Sequence, residues 1–193
     1  MPEKEELFGD RGRALEEEYF RKKDRELVEK LQRAAASEQQ RRDLTAKSGL
    51  EDQELLAELE TLGFTPDTVT LLPFVPVVEI AWASGGVTVE ERELVIQFAR
   101  ARGIDEGSGA DRQLSEWLAN RPSPEVFARA RRLVRAMLSA GGKAHGTLTA
   151  DDLVEYCETI AAASGGFLGI NRISSEERAL LTELAADLKK QSA

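Results

Sequence analysis

Two patterns of apolar positions divide this chain. From Phe8 to about Lys47, Phe20, Leu27, Leu31 and Ala34 return at helical spacing as one narrow stripe, with Tyr19 at its edge. Glu, Lys, Arg, Gln and Ala fill most of the remaining positions, no Pro interrupts, and the only Gly residues lie near the start, so the run predicts one long charged helix. Glu17/Arg21, Glu18/Lys22, Glu26/Lys30 and Glu29/Arg33 are acid-first pairs at i,i+4, each supporting the helix by roughly 0.2–0.5 kcal/mol. A stripe this thin suits a rod that docks in a partner's groove better than a helix packed into its own core.

Beyond Gly49 the apolar positions come in denser, shorter blocks. "LEDQELLAELETLG" predicts a helix stopped by Gly63, and "FTPDTV" predicts a restart with Thr65 as N-cap and Pro66 at the first helical position. Pro73 and Pro76 break or kink the next stretch, and "VPVVEIAWA" is apolar enough to be the central buried helix. Further helices fit about residues 88–102, 111–119, 124–140, 150–163 and 174–190. No strand alternation competes, so the fold class is all-α: residues 1–48 form the charged helix and residues 49–193 a helical bundle. Nearly all the apolar periodicity lies after Gly49, so residues 1–48 are expected to be dispensable for folding of the rest.

Charge sharpens this division. Residues 1–48 hold twelve acidic and twelve basic side chains, so the formal net charge of -9 lies wholly in residues 49–193. An acidic chain lacks the surplus of Lys and Arg that phosphate neutralisation requires, which argues against nucleic acid as a partner. Cys157 is the only cysteine, so an intramolecular disulfide is impossible and a zinc cluster is not expected. The charged first 30 residues hold no signal-peptide core, and no run of about 18 apolar residues occurs. A cytoplasmic protein with no membrane insertion is expected.

The bundle contains an internal repeat. "EIAWASGGVTVEERELV" (79–95) and "TIAAASGGFLGINRISSEERALL" (159–181) each end an apolar helix at Ser-Gly-Gly. Each then opens the next helix with a capping box, Thr88-x-x-Glu91 or Ser174-x-x-Glu177, the second copy carrying the insertion "FLGINR". This pair of helix-turn-helix hairpins resembles the tellurite-resistance TerB-like helical domain over roughly residues 50–190. The resemblance implies a pseudo-twofold bundle. In that family the turn reads Ala-Asp-Gly, and its acidic residues are linked to divalent metal. Here Ser84 and Ser164 stand where the family has Asp, and a hydroxyl is a poor substitute for a carboxylate at a hard-cation site. Glu91 and Glu177 match the family's glutamates, but capping their own helices gives them a sufficient role. No metal and no cofactor is therefore expected.

The rod carries a second resemblance, over residues 8–32. Phe8, Gly9, Arg11, Ala14, Glu16, Glu17, Tyr19, Phe20, Arg21, Glu26, Val28 and Leu31 fall without a gap on the pattern of the inhibitory segment of the mitochondrial F1-ATPase inhibitor protein. The resemblance implies a non-enzymatic inhibitor whose helix inserts among the alpha, beta and gamma subunits of F1 and blocks ATP hydrolysis. Partner-binding residues on this reading are Phe8, Arg11, Glu16, Glu17, Tyr19, Phe20, Arg21, Glu26, Leu27 and Leu31. Residues 32–48 hold no His and no sustained heptad, so the family's pH-responsive coiled coil does not carry over.

Other candidates read as structural. His145 stands alone in a glycine-rich stretch, and Cys157 has no base beside it in sequence and reads as a small buried hydrophobe. The four arginines of "RARRLVR" (129–135) read as a solvated helix face, with docking of an acidic partner as the other use. Trp82, Trp117 and Tyr156 are expected in the core. No phosphate loop, nucleophile elbow or catalytic triad can be assembled. The alternative function is a stress-response binding module for an ion or a protein, with the rod as its tether.

Overall fold

The computed structural model describes residues 3–140, 148–163 and 173–190, with side chains in the first helix described at Tyr19 and from Arg21 onward. They form α1 (Glu3–Ser48), α2 (Gln53–Thr61), a 3-10 helix (Val69–Phe74), α3 (Val75–Ala81), α4 (Val89–Ala101), α5 (Gly109–Ala119), α6 (Pro124–Ser139), α7 (Ala150–Ala163) and α8 (Ser175–Leu188). No strand occurs among the described residues. The chain divides into two compact units, Met1–Arg41 and Arg42–Ala193.

The first unit is helical from Glu3, and all its described side chains are exposed. The second has a continuous core, with α3 at its centre. All seven α3 residues are buried, and the helix packs against α4, α5, α6, α7, α8 and the 3-10 helix. A seven-residue helix is too short to persist in water. Burial holds it: Val77, Val78 and Ile80, all fully covered, each gain about 1.5–3 kcal/mol relative to exposure.

Local chemistry sets the ends of the surrounding helices. Asp52 caps α2 by accepting from the backbone N–H of Glu54 at 2.8 Å and Leu55 at 3.1 Å. After α2 the chain turns at Gly63, whose φ of 83° is open to glycine at little steric cost. The next segment differs from the expected Thr65-capped α-helix. Thr68 Oγ1 accepts from the Thr65 N–H at 2.9 Å, and the chain forms a 3-10 helix without a side-chain cap. Pro73, within that helix, has no N–H for an α-helical bond and disfavours α geometry in Leu72, so the tighter winding takes over. At the far end of α3, Trp82 Nε1 donates to the Trp117 carbonyl at 2.8 Å, and from α4 Arg92 Nη2 donates to the Leu118 carbonyl at 2.6 Å. Both bonds satisfy carbonyls in the last turn of α5, which has no further helical turn to accept from.

The bundle begins earlier than the apolar pattern implies. Leu44 is completely buried, Ser48 Oγ accepts from the Leu50 N–H at 3.2 Å, and Lys47 lies 3.6 Å from Asp67. Gly49, at φ 69°, terminates α1 as its sequence suggests. The end of the helix and the edge of the core are different places, however, and the core takes in the last turn and a half of α1. A chain beginning at Arg42 should melt cooperatively at the temperature of the intact protein. A chain beginning at Gly49 should be less stable by about 2–5 kcal/mol, the usual loss for a deleted core leucine. Denaturant unfolding followed by circular dichroism distinguishes these outcomes, and equal stability of the two shortened chains would contradict the placement of Leu44.

Candidate partner-binding surface

On the rod, Tyr19, Leu27, Val28 and Leu31 are 58%, 55%, 50% and 61% exposed. These are large apolar side chains on a unit whose described residues bury nothing. Around them the helix ties itself together: Glu26 lies 3.6 Å from Lys23, Glu29 lies 3.5 Å from Arg33, and Arg25 Nε donates to the Arg21 carbonyl at 3.3 Å. The Lys23 ammonium sits 5.8 Å from the centre of the Tyr19 ring. Arg21 and Glu26 are exposed beside the apolar positions. Tyr19, Arg21, Glu26, Leu27 and Leu31 thus occupy one accessible stretch. Phe8, Arg11, Glu16, Glu17 and Phe20 belong to α1, and their side chains lie outside the described residues.

The four arginines of α6 are all engaged by acids of the bundle, and only Arg132 keeps the solvated character expected of the whole face. Arg129 and Arg132 both reach Glu58 of α2, at 3.0 Å and 3.3 Å. Arg131 spans Glu79 of α3 at 3.5 Å and Glu183 of α8 at 2.7 Å, and Arg135 pairs with Asp187 of α8. The guanidinium groups tie α6 to three other helices. Burial raises the Glu79 carboxyl above the usual range, partly offset by the Arg131 charge. The sequence shows the arginines but not their distant carboxylates, two of which lie 52 positions further on.

Both capping boxes form. Glu91 Oε2 accepts from Thr88 N at 2.7 Å and Thr88 Oγ1 at 2.8 Å, while Glu91 N donates to Thr88 Oγ1 at 3.2 Å. Glu177 Oε2 accepts from Ser174 N at 2.7 Å and Glu177 N donates to Ser174 Oγ at 3.1 Å. Both glutamates are completely buried, a feature capping alone does not require. Burial raises the Glu91 carboxyl above its usual range against the pull of the Thr88 bonds, and the charges of Glu177 and Glu90 add to the rise. A third box, missed because the acid is Asp, opens α7: Asp152 Oδ2 accepts from Thr149 N at 2.7 Å and Thr149 Oγ1 at 2.8 Å.

The remaining candidates take structural places. Ser84 Oγ donates to the Gly86 carbonyl at 3.3 Å within its turn. Ser164 and His145 lie outside the described residues. Cys157 is fully buried, and burial pushes its thiol strongly upward, away from the reactive thiolate. Tyr156 stacks on Phe98 with ring centres 4.4 Å apart, and its hydroxyl accepts from Arg102 Nε at 3.1 Å. Trp82, Trp117 and Tyr156 pack against the core as expected but are not fully enclosed; the polar tips of Trp82 and Tyr156 reach partners at the rim. Among the described residues, no three His, Cys, Asp or Glu side chains gather as a metal site would require.

Compared with family models, curated proteins and solved structures, the chain matches none of them.

The Glu91 geometry predicts a pH dependence. A carboxyl whose folded pKa lies above its unfolded value stabilises most below the unfolded value, and that contribution is lost as pH rises through the folded value. Between pH 7 and about pH 5, acidification should therefore stabilise the intact protein relative to Glu91→Gln, which keeps a cap acceptor but cannot ionise. Chemical unfolding of both proteins at the two pH values measures this. A difference independent of pH, or one that grows toward neutrality in favour of the intact protein, would contradict the assignment.

Proposed function

We propose that the chain is a non-enzymatic inhibitor of ATP hydrolysis by the F1 part of a bacterial ATP synthase, acting by insertion of its N-terminal helix among the alpha, beta and gamma subunits. The observation that carries this reading is the exposure of Tyr19, Leu27, Val28 and Leu31 on the part of α1 before Arg42, where every described side chain is exposed. It joins the register of Phe8, Glu16, Glu17, Tyr19, Phe20 and Arg21, which resembles the inhibitory segment. Full burial of Tyr19 and Leu31 in a partner supplies binding energy, and Arg21 and Glu26 fix register through charge-assisted bonds. In this role the TerB-like bundle, a pseudo-twofold pair of capped hairpins, serves as steric bulk, a second anchor or a sensor.

The second reading is a TerB-like binding module for an ion or a protein, with the rod as a tether. It draws on the burial of both Glu91 and Glu177, which is more than a cap needs.

Steady-state ATPase measurements on F1 from the same organism separate the two. Intact protein should inhibit, Tyr19→Ala or Phe20→Ala should weaken inhibition roughly thirtyfold, the consequence of losing about 2 kcal/mol at a buried aromatic anchor, and residues 42–193 alone should leave hydrolysis untouched. Unchanged hydrolysis at micromolar excess of intact protein, or equal inhibition by residues 42–193, would remove the inhibitor reading.

A further inference from the structure

We propose that two copies of this chain associate, Leu27 and Leu31 of the rod of one copy seating in a cleft on the bundle of the other. The cleft, about 320 Å³, opens where the end of α2 meets α5 and the start of α6. Leu62, Phe64, Trp117, Pro122 and Val126 give it an apolar wall, and Phe64 meets Trp117 edge to face with ring centres 5.9 Å apart. Its volume stands at the low end of ligand sites, which run from about 300 Å³ upward, and suits one or two side chains. Leu27 and Leu31 are four residues apart on α1, hence neighbours on one face, and both are more than half exposed.

Charge selects the occupant. Residues 19–33 carry six basic side chains against three acidic, whereas residues 42–193 carry sixteen basic against twenty-four acidic. Among the described residues Glu116 is the only charged one lining the cleft; on the rod, Lys23 lies one turn before Leu27 and Lys30 directly before Leu31, with Glu26 and Glu29 also beside the leucines. A rod from a second copy therefore brings apolar anchors and opposite charge to the same place, a combination that guides encounter and fixes register. Pairing two rods in register over this stretch would set like charge against like. The association stands apart from the inhibitory reading, because it involves the chain alone.

The test is the mass of the full-length protein by sedimentation equilibrium at about 100 µM in about 50 mM salt, without F1; the low salt leaves exposed charges weakly screened. The expected mass approaches two chains, and association weakens as salt rises. Leu27→Asp/Leu31→Asp should be monomeric, as should Val126→Asp. Glu116→Lys, at an exposed position that leaves the core alone, should weaken association at least about tenfold and covers the case of a misfolded Val126→Asp. Mixing the rod variant with Val126→Asp should restore association, since one intact rod and one intact cleft remain. A monomeric intact protein overturns the proposal. So does undiminished association of both Val126→Asp and Glu116→Lys, or failure of the mixture of folded variants to associate.

Discussion

The bundle depends on burying α3 from every side. A helix with seven covered residues leaves no solvent face for a charge, yet it carries Glu79. Desolvation makes that carboxylate costly, and Arg131 of α6, 3.5 Å away, offsets the cost. Arg131 is itself only partly solvated and holds Glu183 at 2.7 Å, so α8 is drawn to the same point. Placing α3 in the core thus fixes α6, and α6 fixes α8 and, through Arg129, α2. The apolar contacts supply most of the stability, and the ion pairs restrict which way each helix can face.

The rod obeys the opposite rule. No described side chain between Arg21 and Asp43 is buried, so tertiary packing cannot hold the helix there. Good helix formers and one-turn pairs such as Glu29/Arg33 do so instead. Local support of this kind leaves apolar side chains available. That availability connects the proposed inhibition and the proposed self-association: each gives Leu27 and Leu31 a place out of water.

The sequence announces features that act over short distances. Thr88/Glu91, Ser174/Glu177 and the Gly63 turn are each made by residues within a few positions of one another, and all appear where the sequence puts them. Pro73 was legible as a break but not as a 3-10 winding, because the choice depends on neighbours already packed around it. Leu44 was illegible because it is one apolar residue at the end of a polar run, and only the bundle beside it makes it core. The α6 arginines misled for a similar reason: a basic helix face looks the same whether it meets water or acids 52 positions away. Of the candidate surface, the exposed side chains Tyr19, Leu27 and Leu31 could be read from a thin stripe, whereas the Phe64/Trp117 cleft required the meeting of α2, α5 and α6.

The central claim is that α1 serves two units, a self-supported rod to Arg41 and a core segment from Arg42 onward. Native-state hydrogen exchange of the intact protein, resolved by residue, tests it most directly, because amides in locally supported helix open far more readily than those requiring global unfolding. The account predicts weak protection over residues 21–40 and, at the amides around Leu44, protection approaching that of α3. Uniform protection along α1, or amides near Leu44 that exchange as fast as those near Leu31, would contradict it.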